Sequence, residues 1–282
     1  MKMTWRQWLV LSLPAALLGF GCNHDTPANP ETAPAAPQAE QAPAAQPEHA
    51  ADAHADHAAH WAYTGESGPE AWGDMKPEFA TCKTGKEQSP IDITGEMPVK
   101  GGPIKFSYAP FPLKELNNGH TIQANNSVPN AIEIDGAKYD LLQIHFHAPS
   151  EHTIDGKHAD MELHMVHKNA EGKLAVVGLM LNKGADNPVV ASLWSHIPAE
   201  VDKEQVVDGV TVDLASILPA DQSYYHYMGS LTTPPCSEGV SWYVLKAPGT
   251  VSEAEVAKFN ELLHTNARPT QPLSGRELSR SN

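Results

Sequence analysis

Positive charge is scarce in this 282-residue chain: 19 Lys and Arg stand against 34 Asp and Glu, a formal net charge of −15 at pH 7. A surface of that sign repels phosphate backbones and anionic lipid, which excludes nucleic acid as a partner class. Long hydrophobic runs are equally scarce. The one at the start, Leu9 to Phe20, is too short to cross a bilayer; with Lys2 and Arg6 before it and Cys22 after it, residues 1–21 read as a secretory signal peptide. Internal repeats are not evident, so a solenoid is not indicated. Cysteine occurs only at 22, 82 and 236. Cys22 follows Gly21 as in a bacterial lipobox, although Leu18 stands one place too early. Lipid attachment at Cys22, which would tether an exported protein to a membrane, is the expectation, and a soluble periplasmic or secreted form is the alternative.

If Cys22 is acylated, Cys82 and Cys236 are left as one pair in an oxidising compartment. A disulfide there would add on the order of 4 kcal/mol on the chain-entropy model; two buried free thiols are the other reading. Residues 22–60 are Ala, Pro, Gln and Glu with six prolines between Pro27 and Pro47, too few apolar side chains to order themselves. They read as a tether. His49, His54, His57 and His60 close it, with Asp52 and Asp56 between, suited either to weak metal scavenging or to plain solvation. Subtracting Lys2, Arg6 and the six acids of residues 1–60 from 19 and 34 leaves 17 and 28 for residues 61–282. That stretch is long enough for one sizeable core.

Short alternating apolar runs separated by Gly, Pro and Asn predict strands at Ile104–Tyr108, Ala131–Ile134, Leu141–Phe146, Leu163–His167, Leu174–Leu181 and Val240–Leu245. Helical patterns are few: Pro188–His196, and Ser252–His264 with Ser252 as cap. Two strands hold a pattern that selects among the 15 histidines. Side chains two apart share a face, so Gln143, His145 and His147 point together, as do Glu162, His164 and Val166. His167 points the other way. His152 and His158 read as supporting or solvated groups. Three neutral imidazoles leave a bound Zn2+ with its full charge and an open fourth position, the catalytic rather than the structural arrangement.

The segments Asn117–His120, Gln143–His147, Ser150–His152, Glu162–His164, Gly229–Pro235 and Asn266–Pro269 stand in the order and spacing of the α-class carbonic anhydrases, which this chain resembles from about His60 to its end. Trp61–Tyr63, Gly68–Trp72 and Gln88–Ile93 also match; Ala148-Pro149 departs from the animal pattern toward the bacterial one. The resemblance implies a mixed α/β, β-dominated single domain, a central, largely antiparallel twisted sheet with short peripheral helices. It implies reversible hydration of carbon dioxide to bicarbonate by a zinc-bound hydroxide, with His145, His147 and His164 as ligands and Gln143 and Glu162 fixing ring tautomers. Thr232 would link the hydroxide to ionised Glu151, and Thr233 would line the bicarbonate position. Val166, Val176, Leu231 and Trp242 would form the apolar wall, and His120 would shuttle the proton, with Tyr63 and Asn118 holding waters. Dimerisation is common among bacterial relatives and extends to this chain as an expectation. The rival local pattern is a cupin, in which His145, His147 and Glu151 would bind iron or manganese in a small barrel. A zinc-binding or adhesion protein that keeps the fold without turnover is the non-enzymatic rival.

Overall fold

In the computed structural model, residues His60 to Asn282 except Glu96 are described. The signal segment, Cys22 and the tether histidines 49, 54 and 57 lie outside them. Each of the six expected strands is present, mostly longer than its apolar run suggests.

Twelve strands form one twisted sheet. We label nine of them in chain order: β1 (Phe111–Asn117), β2 (Ile122–Asn125), β3 (Ala137–His147), β4 (Met161–Lys168), β5 (Leu174–Lys183), β6 (Gln205–Val212), β7 (Tyr224–Ser230), β8 (Glu238–Leu245) and β9 (Ser279–Arg280). They lie side by side in the order β6-β1-β2-β3-β4-β5-β8-β7-β9. Neighbours are antiparallel except β5, which runs parallel to β8 and to the strand Gly249–Val251. A separate three-stranded sheet joins Asp92–Ile93, Thr153–Ile154 and Lys157–His158.

The central strands are buried on both faces, so the polar side chains inside β4, Glu162, His164 and His167, all find hydrogen-bond partners. One face, with Phe111, Leu113, Ile144, Phe146, Leu163 and Met165, packs beneath two helices: α1 (Pro188–Trp194) and α2 (Glu253–Leu263). Asn187 caps α1 by accepting from the amides of Val189 and Val190. Ser252 and Glu255 form a reciprocal capping box on α2, satisfying two N-terminal donors at once. Truncating Phe146, fully buried against Trp194, would cost about 3–5 kcal/mol. The opposite face holds a second apolar cluster of Ile91, Val166, Val176, Tyr227, Val240 and Trp242. Between that cluster and the polar end of β3 lie the predicted site residues.

Candidate metal centre

Strand register brings the histidines together. His145 of β3 sits directly opposite His164 of β4, and His147 opposite Glu162, so cross-strand neighbours share one face within a few ångströms. One ring nitrogen from each of His145, His147 and His164 lies within 4.8 Å of the others. His167, two places on from Met165, faces away and meets Tyr108, its Nε2 2.7 Å from the hydroxyl.

Each ring has one nitrogen already engaged. Nδ1 of His145 is 2.9 Å from Gln143 Oε1, and Nδ1 of His147 donates to the Asn266 carbonyl at 2.8 Å. Nε2 of His164 donates to Glu162 Oε1 at 3.0 Å. These acceptors put the proton on the engaged nitrogen, leaving lone pairs on Nε2 of His145, Nε2 of His147 and Nδ1 of His164. Burial, followed by the neighbouring imidazoles, holds His145 well below the usual histidine range. Burial pushes His147 down to about 4 and also lowers His164. Three neutral imidazoles are therefore present near pH 7. Nε2 of His147 is buried with no hydrogen-bond partner, a polar atom left bare as a metal would require. The donor set, three imidazoles with a fixed outer hydrogen bond each, fits zinc.

Glu162 is the anchor of this arrangement. Its Oε2 accepts from the amides of Glu151 and His152 at 2.9 Å each, while Oε1 also meets His152 Nδ1 at 2.8 Å. Burial alone would raise its pKa, but the imidazoles of His152 and His164 and their hydrogen bonds hold it well below the carboxylate range. We take it as ionised and His164 as a neutral donor. His152 is thus fully buried and continues through Nε2 to the Tyr227 hydroxyl at 2.7 Å, which donates to Ser89 Oγ at 2.8 Å. His158 is exposed, its Nδ1 2.6 Å from the Ser150 carbonyl.

Glu151 lies between the rings and the loop after β7. Its Oε1 accepts from the Arg268 amide at 2.9 Å, and its Oε2 is 3.5 Å from His147 Nε2. Burial pushes its pKa up to about 7, opposed by His164, the Arg268 amide and a hydrogen bond from Thr232. Glu151 Oε2 itself is buried without a well-formed hydrogen-bond partner. The Thr232 loop is pinned from three sides. Trp242 Nε1 donates to the Ser230 carbonyl at 2.9 Å, Ser89 donates its amide to Ser230 Oγ at 2.9 Å, and Cys236 is disulfide-bonded to Cys82. Val166, Val176 and Trp242 belong to one apolar cluster with Leu231 packed on it, and the Trp242 ring centroid is 4.8 Å from that of His164.

A cleft of about 120 Å³ opens over His145 and His147 and is lined by Thr233, Asn118, His120 and Tyr63. Hollows several times larger lie elsewhere, as beside Ile93, Asp155 and Arg280, but among the described residues they hold no cluster of ligand atoms; chemistry, not size, selects the narrow one. The Asn118 side chain accepts from the amides of His120 and Thr121, and Gly119 has φ of +78°, a turn that aims His120 into the cleft. Its ring stacks on Trp61 with centroids 3.6 Å apart, and burial, followed by the nearby His60, pushes it down to about 4. Three residues central here carry no local signal: Asn266, which holds His147, the Ala148 amide and the His120 carbonyl; Trp61; and Tyr227. The first two lie in motifs noted in the sequence, and only their roles were missing.

A sequence model described as eukaryotic-type carbonic anhydrase matches residues 67–282. A carbonic anhydrase of Klebsiella pneumoniae is 48% identical over 220 residues, 77% of this chain and 89% of that protein. The α-carbonic anhydrase of Thermovibrio ammonificans, solved with the inhibitor sulfanilamide, superposes with a TM-score of 0.74 at 42% identity over 78% of this chain and 98% of that one. A hyperthermostable carbonic anhydrase from a hydrothermal vent chimney gives 0.76 at 41% identity, covering 79% of this chain and all of that one. An open sheet of this kind also sets aside the cupin barrel.

Proposed function

The chain belongs to the α-carbonic anhydrase family, enzymes of reversible carbon dioxide hydration, and we propose that it works through zinc held by His145, His147 and His164. The observation that carries this is the set of three lone-pair nitrogens on neutral imidazoles, one of them buried without any other partner. Zinc there would supply a water acidified to near neutrality, a property established in carbonic anhydrases themselves, together with a Lewis-acid position. The protein's own groups do the rest. Gln143, the Asn266 carbonyl and Glu162 keep the three rings neutral and aimed. Glu151 acts as an acceptor for the Thr232 hydroxyl, whose lone pair then orients the attacking oxygen; a dication nearby favours the carboxylate form this requires. Val166, Val176, Leu231 and Trp242 offer an apolar wall to a nonpolar gas, and Thr233 lines the place where bicarbonate forms. His120 takes the proton from the site, and in its stacked conformation it is a weak base, so uptake calls for a more hydrated ring position.

The disulfide and the bacterial relatives fit an exported protein; residues 1–21 as signal, 22–60 as tether and lipidation at Cys22 are part of the same proposal, as is a dimer. Metal analysis with stopped-flow hydration tests the enzymatic core. About one zinc per chain, turnover lost on chelation and restored by zinc, and inhibition by sulfanilamide are the expected results. A zinc-loaded chain without hydration activity would overturn the reading.

A further inference from the structure

Three polar side chains run in a line from the cleft to the surface. Gln123 of β2 lines the cleft and is paired directly opposite His145 of β3. Its Nε2 donates to Asn125 Oδ1 at 2.6 Å, and Asn125 Nδ2 donates in turn to Glu204 Oε2 at 2.6 Å. Gln123 and Asn125 are two apart on one strand and so share a face. Glu204 reaches them from the residue before β6, on the far side of β1. It is exposed, whereas Asn125 and Gln123 are half-buried.

The order of donors and acceptors along this line is set from its outer end. A carboxylate only accepts, so the Asn125 amide turns its NH2 to Glu204 and its carbonyl to Gln123. Gln123 then spends its NH2 on that carbonyl. What is left for the cleft is Gln123 Oε1, which has no hydrogen-bond partner among the described residues. The two ends of an amide have nearly the same shape and differ in what they donate or accept, so packing alone does not choose between them. The charge at position 204 does.

We propose that Glu204, a surface carboxylate outside the cleft, fixes the Gln123 amide through Asn125 so that the wall beside His145 offers an acceptor and favours cleft ligands that carry hydrogen-bond donors. Glu204 and Asn125 are positioning residues; Gln123 makes the contact. The ligand class is a neutral molecule with an N–H or O–H group that meets this wall. The inference rests on the metal reading above only through the probes, which a zinc ion holds in the cleft.

The test uses the full chain loaded with zinc and two uncharged probes: sulfanilamide, whose para amino group donates, and 4-acetylbenzenesulfonamide, whose para ketone only accepts. The ratio of their dissociation constants in each variant is compared with the wild-type ratio, so differences between the two head groups cancel. Glu204→Gln frees the line to turn, and the preference for sulfanilamide should shrink several-fold, about the worth of one net hydrogen bond. Glu204→Lys is decisive. An ammonium only donates, so Asn125 turns its carbonyl outward, Gln123 turns in sequence, and the cleft meets an NH2 group. The preference should then reverse in favour of the ketone. Adding Glu204→Lys to Asn125→Leu, in which the line is cut, should leave the ratio unmoved, and this separates relayed orientation from the change of charge. Nuclear magnetic resonance of the side-chain amides is a readout independent of metal: the NH2 signals of both Asn125 and Gln123 should move in Glu204→Lys. An unchanged probe ratio in Glu204→Lys, or a change that survives Asn125→Leu, would overturn the proposal. A wild-type chain that holds no zinc, or binds neither probe with zinc present, would instead overturn the proposed function, and the amide signals would still decide whether Glu204 orients the line.

Discussion

Replacing Glu115 should stabilise this protein. It lies in β1 with Phe111 and Leu113 on the core-facing side, fully buried, and neither carboxylate oxygen has a hydrogen-bond partner. Burial, only partly offset by Lys258, raises its pKa from 4.5 to about 8. Between those two values the unfolded chain has lost the proton and the folded chain keeps it, so raising the pH favours unfolding. At 1.36 kcal/mol per unit, the penalty is about 3 kcal/mol at pH 7 and approaches about 5 kcal/mol above pH 8, and it vanishes below about pH 4.5. Glu115→Gln keeps the shape and removes the titration. The stability difference between variant and wild type, from urea unfolding at a series of pH values, should therefore grow by roughly 1.4 kcal/mol per unit from pH 5 to 8 and then level off. Every other titrating group is shared and cancels in the difference. Glu115→Leu should add stability at all these pH values, because it also removes the unpaired buried oxygens at about 1–3 kcal/mol. A difference between wild type and Glu115→Gln that stays flat with pH would refute the reasoning.

Glu162→Gln keeps an acceptor for His164 but loses the charge that gathers four donors, and zinc affinity should fall by about 10–100-fold in a chelator competition; unchanged affinity would count against its anchoring role. Thr232→Ala should lower kcat/KM by about 10²-fold while zinc content stays at one per chain, separating orientation from binding. Replacing Cys82 and Cys236 together by serine opens a closure of 154 residues and should cost about 2–5 kcal/mol in denaturant unfolding. Because Cys236 also donates its amide to Thr233 at 2.8 Å, turnover should fall at temperatures where the folded state persists, and equal activity there would mean that the loop is held without the bridge.

Period-two reading was enough to place His145 with His147 on β3 and His164 with Glu162 on β4, and to turn His167 away from His164, because a strand's alternation is a local property of the backbone. What alternation cannot convey is register. The pairing of His145 with His164 depends on how β3 slides against β4, and it includes a shift between Leu141 and Gln143. β1 and β7 were harder to see for a related reason: Pro112 and Glu115 interrupt one, Gly229 and His226 the other, and both read as strands only beside their partners. Helix α2 could be read to its cap from Ser252 and Glu255 alone, since a capping box lies within four residues. Asn266, 119 positions from His147, has no such local trace, and the same holds for Tyr227 behind His152. The ligands, and the acceptors Gln143 and Glu162 two residues from them, could thus be read from short segments, whereas Asn266 and Tyr227, which meet His147 and His152, come from distant parts of the chain. That division follows from the chemistry: a ligand must present a ring of one kind at one place, but any carbonyl, carboxylate or hydroxyl arriving from anywhere can hold its other nitrogen.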